Sequence, residues 1–324
     1  MATTKQLLSD LVSGVSSVPS NYIRPISDRP NIDEVSLGNP IPLIDLQGLD
    51  GSNRSDVVKE IGQACQEYGF FQVKNHGIPE EVIDKMLCLS RDFFHLPESE
   101  RMKNYSDDPM KTTRLSTSFN VKTEKVSNWR DFLRIHCHPL EDYIHEWPTN
   151  PPSFQDVAEY SKKARGLALR LLEAISESLG LERDYINKAL GKHGQHMAIN
   201  YYPSMSATRA YLRVLKDGKW IAVPPISNTF IVNIGDQMQV ISNDRYKSVL
   251  HRAIVNSNKE RISIPTFYCP SPDAVTVPAP HLINDHHPPL YRNFAYSDYY
   301  QKFWNRGLAT ETCLDMFKIT TSNP

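Results

Sequence analysis

No one sign of charge dominates this chain. Its 36 Lys and Arg residues offset 37 Asp and Glu, for a formal net charge of -1. That leaves no general electrostatic case for nucleic acid or an anionic membrane as partner. No apolar run is long enough to span a bilayer. The opening residues, MATTKQLLSDLVSGVSS, lack the apolar core of a signal peptide. Cysteine is sparse: Cys65, Cys88, Cys137, Cys269 and Cys313 are odd in number and form no C-x-x-C. This argues against a disulfide framework or a cysteine zinc site, and for a reducing compartment, the cytoplasm with access to the nucleus. What is present is ordinary for a globular protein: 40% hydrophobic and 23% charged residues over 324 positions. That length allows one large domain with accessory helices, or two small ones.

The stretch that organises the chain is KSVLHRAIVNSNKERISIPTFY, Lys247 to Tyr268. It reads as two short strands joined by the polar turn Asn256-Ser257-Asn258-Lys259-Glu260. The first carries His251 among apolar residues. On the second, side chains flip at every residue, so Arg261, Ser263 and Pro265 share one face and Ile262, Ile264 and Thr266 the other. Arg261 offers a fork of donors for a carboxylate, and Ser263 adds a hydroxyl. A neutral imidazole such as that of His251 can ligate a metal, although a lone strand His is more often a hydrogen-bonded core residue.

Upstream, Pro19, Pro25, Pro30 and Pro40 punctuate an irregular arm. Ile41 to Leu46 is an expected strand. Val57, Ile61, Ala64, Cys65 and Tyr68 recur at helical spacing over 56–68, and Gly69 ends that helix. Phe70 to His76 is an expected strand, and Pro79 opens a second helix. Residues 105–147 show little periodicity and read as a long functional loop or lid. His136, His138 and His145 fall there without a carboxylate or Cys spaced to complete a metal site. A packing helix follows over 154–180, with Val157, Tyr160, Ala164, Leu167, Leu171, Ile175 and Leu179 on one face. HMAINYYP, 196–203, is a strand on which Asn200 and Tyr202 share a face. Further on, Val214 to Val223 is a hairpin about Asp217-Gly218. Thr229 to Ile241 is a strand, a Gly-Asp turn holding Asp236 and a further apolar run. Tyr296 to Trp304 begins a terminal helix that packs back on the core.

Several of these segments resemble one family. YGFFQVKNHGIP is similar to the N-terminal signature of plant 2-oxoglutarate oxygenases, in which His76 is structural. HMAINYYP and the His251…Arg261-x-Ser263 pattern resemble the site of the iron(II)/2-oxoglutarate dioxygenases. TTRLSTSFN…NWRDFLRIHC, SNYIRPISDRPN, HLPESER and RLLEAISESLGL resemble the downy-mildew-resistance-type subgroup and its salicylate hydroxylases. The resemblance implies a mainly β fold with flanking helices around a double-stranded β-helix, or jelly roll. It implies an N-terminal helical and β region over 1–150, a packing helix and linker over 151–195, and the jelly-roll domain with a terminal helix over 196–324. It implies His251 as the distal iron ligand and Asn200, Tyr202, Arg261 and Ser263 as the 2-oxoglutarate contacts. Iron(II), 2-oxoglutarate and O2 would then serve the hydroxylation of a small aromatic acid, salicylate, in plant defence and senescence, by a monomer. Flavonoid oxidation is the alternative. Arg130 and Arg134 are the nearest cationic candidates for gripping substrate, though salt bridges would explain them as easily.

The pattern breaks after Pro203. The family continues P-C-P-x-P-E-L, then an H-x-D pair, then two strands. Here Ser204 to Arg213 joins at once to VLKDGKW, and none of the eleven His residues is followed two positions later by Asp or Glu. Two of the three ligands of a His/carboxylate/His triad are therefore missing. The jelly roll is expected to lack two core strands and to expose the edges they would cover. As written, such a chain is expected to be inactive, a truncated isoform or pseudoenzyme. MSATRAYL can be encoded so that the same nucleotides, read one position later, give CPQPELT, the family's own sequence. Met205–Leu212 thus reads as out-of-frame translation of the normal segment, with frame restored at Val214.

Overall fold

The computed structural model describes residues 6–15, 17–25, 35–36, 41–119, 124, 126–204, 212–253, 259–306 and 313–319. Pro30, Pro40, the substituted stretch before Leu212 and the first three residues of the 256–260 turn lie outside the described residues. Fourteen strands are described: β1 (Val35–Ser36), β2 (Leu43–Asp45), β3 (Phe70–Lys74), β4 (Arg114–Thr117), β5 (Asp131–His138), β6 (Gly194–Tyr202), β7 (Leu212–Lys216), β8 (Lys219–Val223), β9 (Phe230–Asn233), β10 (His251–Ala253), β11 (Arg261–Ser263), β12 (Thr266–Cys269), β13 (Val275–Thr276) and β14 (Phe294–Ala295).

Three sheets matter for the site. One runs β11-β6-β5-β4, with β12 also paired to β6. A second runs β2-β3-β9, and a third β1-β8-β7-β10. None closes on another. Among the described residues the first ends at β11, the second at β9 and the third at β10, each an edge without a further strand. The architecture is a jelly roll left unclosed.

The helices cover the first two sheets. Arg54–Glu67 and Glu80–Phe94 bury Val57, Ile61, Cys65, Val82, Met86 and Phe93. They pack against Val157–Ser178, whose Val157, Tyr160, Ala164, Leu167, Leu171 and Ile175 are all buried, with Leu179 just beyond. That is the stripe the spacing predicts. Gly69 turns from helix into β3 at φ +64; a Cβ there would lie 2.3 Å from the Lys247 carbonyl oxygen. Asp217 and Gly218, at φ 49 and 73, make the expected hairpin turn between β7 and β8.

Three expectations are corrected. Residues 105–147 are not a lid: β4 and β5 lie within that span and form two of the five strands of the first sheet. Leu133, Ile135 and Cys137 of β5 alternate with Phe132, Arg134 and His136, a period-two pattern hidden because the second face is cationic and aromatic rather than plainly polar. Residues 236–241 form a helix, so Asp236 is a helical residue rather than part of a turn. Asp236 opens it and accepts a hydrogen bond from the Tyr299 hydroxyl at 2.6 Å. Finally, β10 and β11 do not pair with each other. β10 joins β7 in the third sheet, and β11 joins β6 in the first.

Candidate active site

Antiparallel register builds half of the site. Arg261 stands opposite Tyr202, and Ser263 opposite Asn200. Directly opposed residues share a face, so all four side chains occupy one patch. The Arg261 guanidinium lies 5.1 Å from the Tyr202 ring centroid, and Asn200 Nδ2 donates to Ser263 Oγ at 3.3 Å. Arg130 Nη1 donates to Asn200 Oδ1 at 2.9 Å, which draws the residue just before β5 into the same patch. The opposite face of these strands, with Leu133, Ile135, Met197 and Ile199, belongs to the main core.

The patch continues across the sheet. Arg114 and Arg130 flank Phe132, at 5.3 and 5.2 Å from its ring centroid. Arg134 Nη2 donates to the Pro109 and Lys111 carbonyls, each at 2.6 Å. Its guanidinium lies 5.7 Å from the Trp304 ring on the terminal helix Tyr296–Arg306. Trp304 in turn stacks on Phe119. Burial lowers the pKa of Arg134, and burial together with the Arg134 charge lowers that of Arg114. Arg114, Phe132 and Trp304 escaped sequence reasoning. The alternation in β5 was the available signal for Phe132, while the helix contacts depend on tertiary packing.

His251 stands apart. Its ring packs against Phe70 at 5.2 Å, and Nδ1 lies 3.3 Å from the Val249 carbonyl. Although the residue is exposed, desolvation of the ring lowers its pKa. A hydrogen bond from Nδ1 would leave Nε2 as the lone-pair nitrogen, the tautomer a metal ligand needs. Among the described residues, however, no three His, Cys, Asp or Glu side chains converge to hold a metal. Several other histidines are engaged elsewhere or exposed. His76 Nδ1 accepts from the Ile78 amide at 3.1 Å, and its ring meets Phe230 edge-on. His136 stacks on His196 at 5.5 Å, and His281, His286 and His287 are exposed. All five cysteines are free.

Comparisons with known proteins give the class. Residues 41–153 match the family model described as the N-terminal region of the non-haem dioxygenase in morphine synthesis. Residues 187–270 match the 2OG-Fe(II) oxygenase superfamily. The chain belongs to the Fe(II)/2-oxoglutarate-dependent dioxygenases, in their DMR6-like plant subgroup.

Protein DMR6-LIKE OXYGENASE 2 of Arabidopsis thaliana is 58% identical, over 99% of this chain and 100% of its own. Flavanone 3-dioxygenase 2 of Oryza sativa subsp. japonica is 47% identical, over 97% of each chain. The crystal structure of JOX2 in complex with 2OG, Fe and JA superposes with a TM-score of 0.86 at 33% identity, covering 98% of both chains. The first of these alignments runs over 348 positions, more than the 324 residues here, which requires gaps on this side.

By family the chain is an oxidoreductase that uses Fe(II), with 2-oxoglutarate and O2 as co-substrates. The donor set in hand does not fit the metal. One imidazole in the third sheet, with no metal-holding carboxylate grouped with it among the described residues, cannot supply the oxygen and nitrogen ligands that ferrous iron requires in fixed geometry. Arg261, Ser263, Asn200 and Tyr202 share one patch, while among the described residues no metal-holding cluster forms.

Proposed function

We propose that this site is shaped for hydroxylation of a small aromatic acid, salicylate, in plant defence and senescence, and that the chain as written holds acids without turning them over. One observation carries the substrate reading. Arg114 Nη1, Arg134 Nε, Arg261 Nη1 and Trp304 Nε1 are buried donors with no acceptor. The three arginines lie on strands of one sheet, and Trp304 lies beside Arg134. Buried donors left unsatisfied cost about 1–3 kcal/mol each, so a set of donors and no acceptor favours an oxyanion guest. Phe132, between Arg114 and Arg130, offers the flat apolar surface an aromatic ring would meet.

Within this reading Arg261 and Ser263 anchor the far carboxylate of 2-oxoglutarate, with Tyr202 and Asn200 beside them. Arg130 holds the Asn200 amide oxygen, which leaves the Asn200 amide nitrogen to donate toward Ser263. His251 is the one surviving metal-ligand candidate. The protein would work as a monomer in the cytoplasm. Flavonoid oxidation is the second reading, favoured by the identity to the rice flavanone dioxygenase.

The test compares the purified chain with a version carrying the relatives' missing segment after Pro203. Anaerobic Fe(II) titration and succinate release are measured with salicylate and with a flavanone. The expected result is metal binding and salicylate-dependent succinate only in the restored version. Turnover by the chain as written would overturn the claim of inactivity. A restored chain that accepts the flavanone and ignores salicylate would overturn the substrate.

A further inference from the structure

The third sheet presents a second cationic feature, remote in topology from the Arg261 patch. In β7, β8 and β10, Val214, Ile221 and His251 share one face, and Val214 packs with Phe70, Ile41 and Val223 in a small apolar core. The other face carries Arg213 and Arg252, directly opposite one another across the β7–β10 pair. Trp220 of β8 shares that face, and the Arg252 guanidinium lies over it, 3.6 Å from the ring centroid.

Two like charges placed directly opposite in a sheet repel, and among the described residues no carboxylate forms an ion pair with either. Arg213 Nε, Arg252 Nε and Arg252 Nη2 are buried without a hydrogen-bond partner. The Trp220 ring attracts the Arg252 charge, but the N–H groups still need acceptors. One guanidinium beside a second presents donors at two points, the geometry that recognises phosphate or carboxylate. A guanidinium stays protonated at neutral pH, so both groups are charged.

From this juxtaposition we infer that Arg213 and Arg252 form a binding site for a small dianionic oxyanion, of the phosphate or dicarboxylate class, against the Trp220 face of the sheet. The site is separate from the 2-oxoglutarate anchor, because β7 and β10 belong to a different sheet from β6 and β11. The charge of the guest matches the charge of the pair, and its oxygens supply the acceptors that the buried donors lack.

Trp220 is the reporter. Its emission is followed while the full chain is titrated with inorganic phosphate and, separately, with succinate at constant ionic strength. Trp220→Phe identifies the signal among the four tryptophans. The expected result is saturable binding of at least one of the two anions, weakened roughly tenfold in Arg213→Gln and in Arg252→Met and kept in Arg261→Ala. Preference between phosphate and succinate identifies the source. Arg213→Gln alone, without anion, is expected to raise the thermal midpoint, because it removes the repulsion. Should Arg252→Met fail to fold, Arg213→Gln carries the binding test, with Arg213→Lys retaining part of the affinity. No response to either anion overturns the site, as does a response unchanged in Arg213→Gln or lost in Arg261→Ala.

Discussion

Asn200 and Ser263 face each other across β6 and β11, the Asn200 amide nitrogen donating to the Ser263 hydroxyl while its oxygen accepts from Arg130. One buried amide thus ties β6 to β11 and to the residue leading into β5 through both ends of its dipole. Asn200→Ala removes both interactions and leaves the Arg130 donor without its acceptor. The expected loss of stability is about 1–3 kcal/mol, read by urea denaturation. Asn200→Asp keeps an acceptor for Arg130 and should recover part of it. A loss near zero in Asn200→Ala would mean that the patch is not cooperatively held.

Two stacked histidines set a pH dependence. Burial pushes His136 down to about 4, with the Arg134 charge adding to it. Burial, then His136 and Arg134, holds His196 well below the ordinary value. Both rings are therefore neutral in the folded chain at pH values where the unfolded chain already protonates them. Between about pH 6.5 and pH 4 the unfolded state binds more protons, so folding stability falls as pH falls, by on the order of 1 kcal/mol per unit for each ring. His196→Phe keeps the stacking on Phe267 and should flatten that slope. A slope identical in wild type and variant would remove His196 from the account.

Much of this was legible beforehand. The 3.6-residue stripe over Val157–Leu179, the Asp217-Gly218 turn and the shared face of Arg261 and Ser263 each follow from a local period or a single turn type. The polar patch was half legible: Asn200 and Tyr202 are two apart on a strand, but only the register of β11 on β6 places them opposite Ser263 and Arg261. What sequence reasoning missed lies in β4 and β5, whose inner face carries Arg114, Phe132 and Arg134 where a barrel strand ordinarily carries aliphatic residues. The placement of His251 in a separate sheet follows from strand pairing over long sequence separations, which a local pattern does not encode.

Gly69 is a point where the backbone leaves no room. Its φ of +64 disfavours any side chain, and a Cβ would meet the Lys247 carbonyl, on the segment leading into β10. Gly69→Ala is expected to cost about 2 kcal/mol or more, from strain and contact together. Thermal unfolding measures it, and a midpoint within a degree of wild type would contradict the close approach.

The open edges carry their own consequence. β9 ends the second sheet with Ile231 39% exposed, and its outer edge has no described strand beside it. Exposed apolar edges template pairing between chains. Mild heating should therefore produce concentration-dependent light scattering, and Ile231→Lys should delay it, because an edge lysine opposes strand addition. The restored chain provides the sharper comparison. If the segment after Pro203 supplies the two strands that close the jelly roll, scattering should fall and the thermal midpoint rise in the same protein that gains Fe(II) binding. Gain of metal binding with the edges still aggregating would separate the two roles, making the segment a source of ligands alone and leaving the open sheets to another cause.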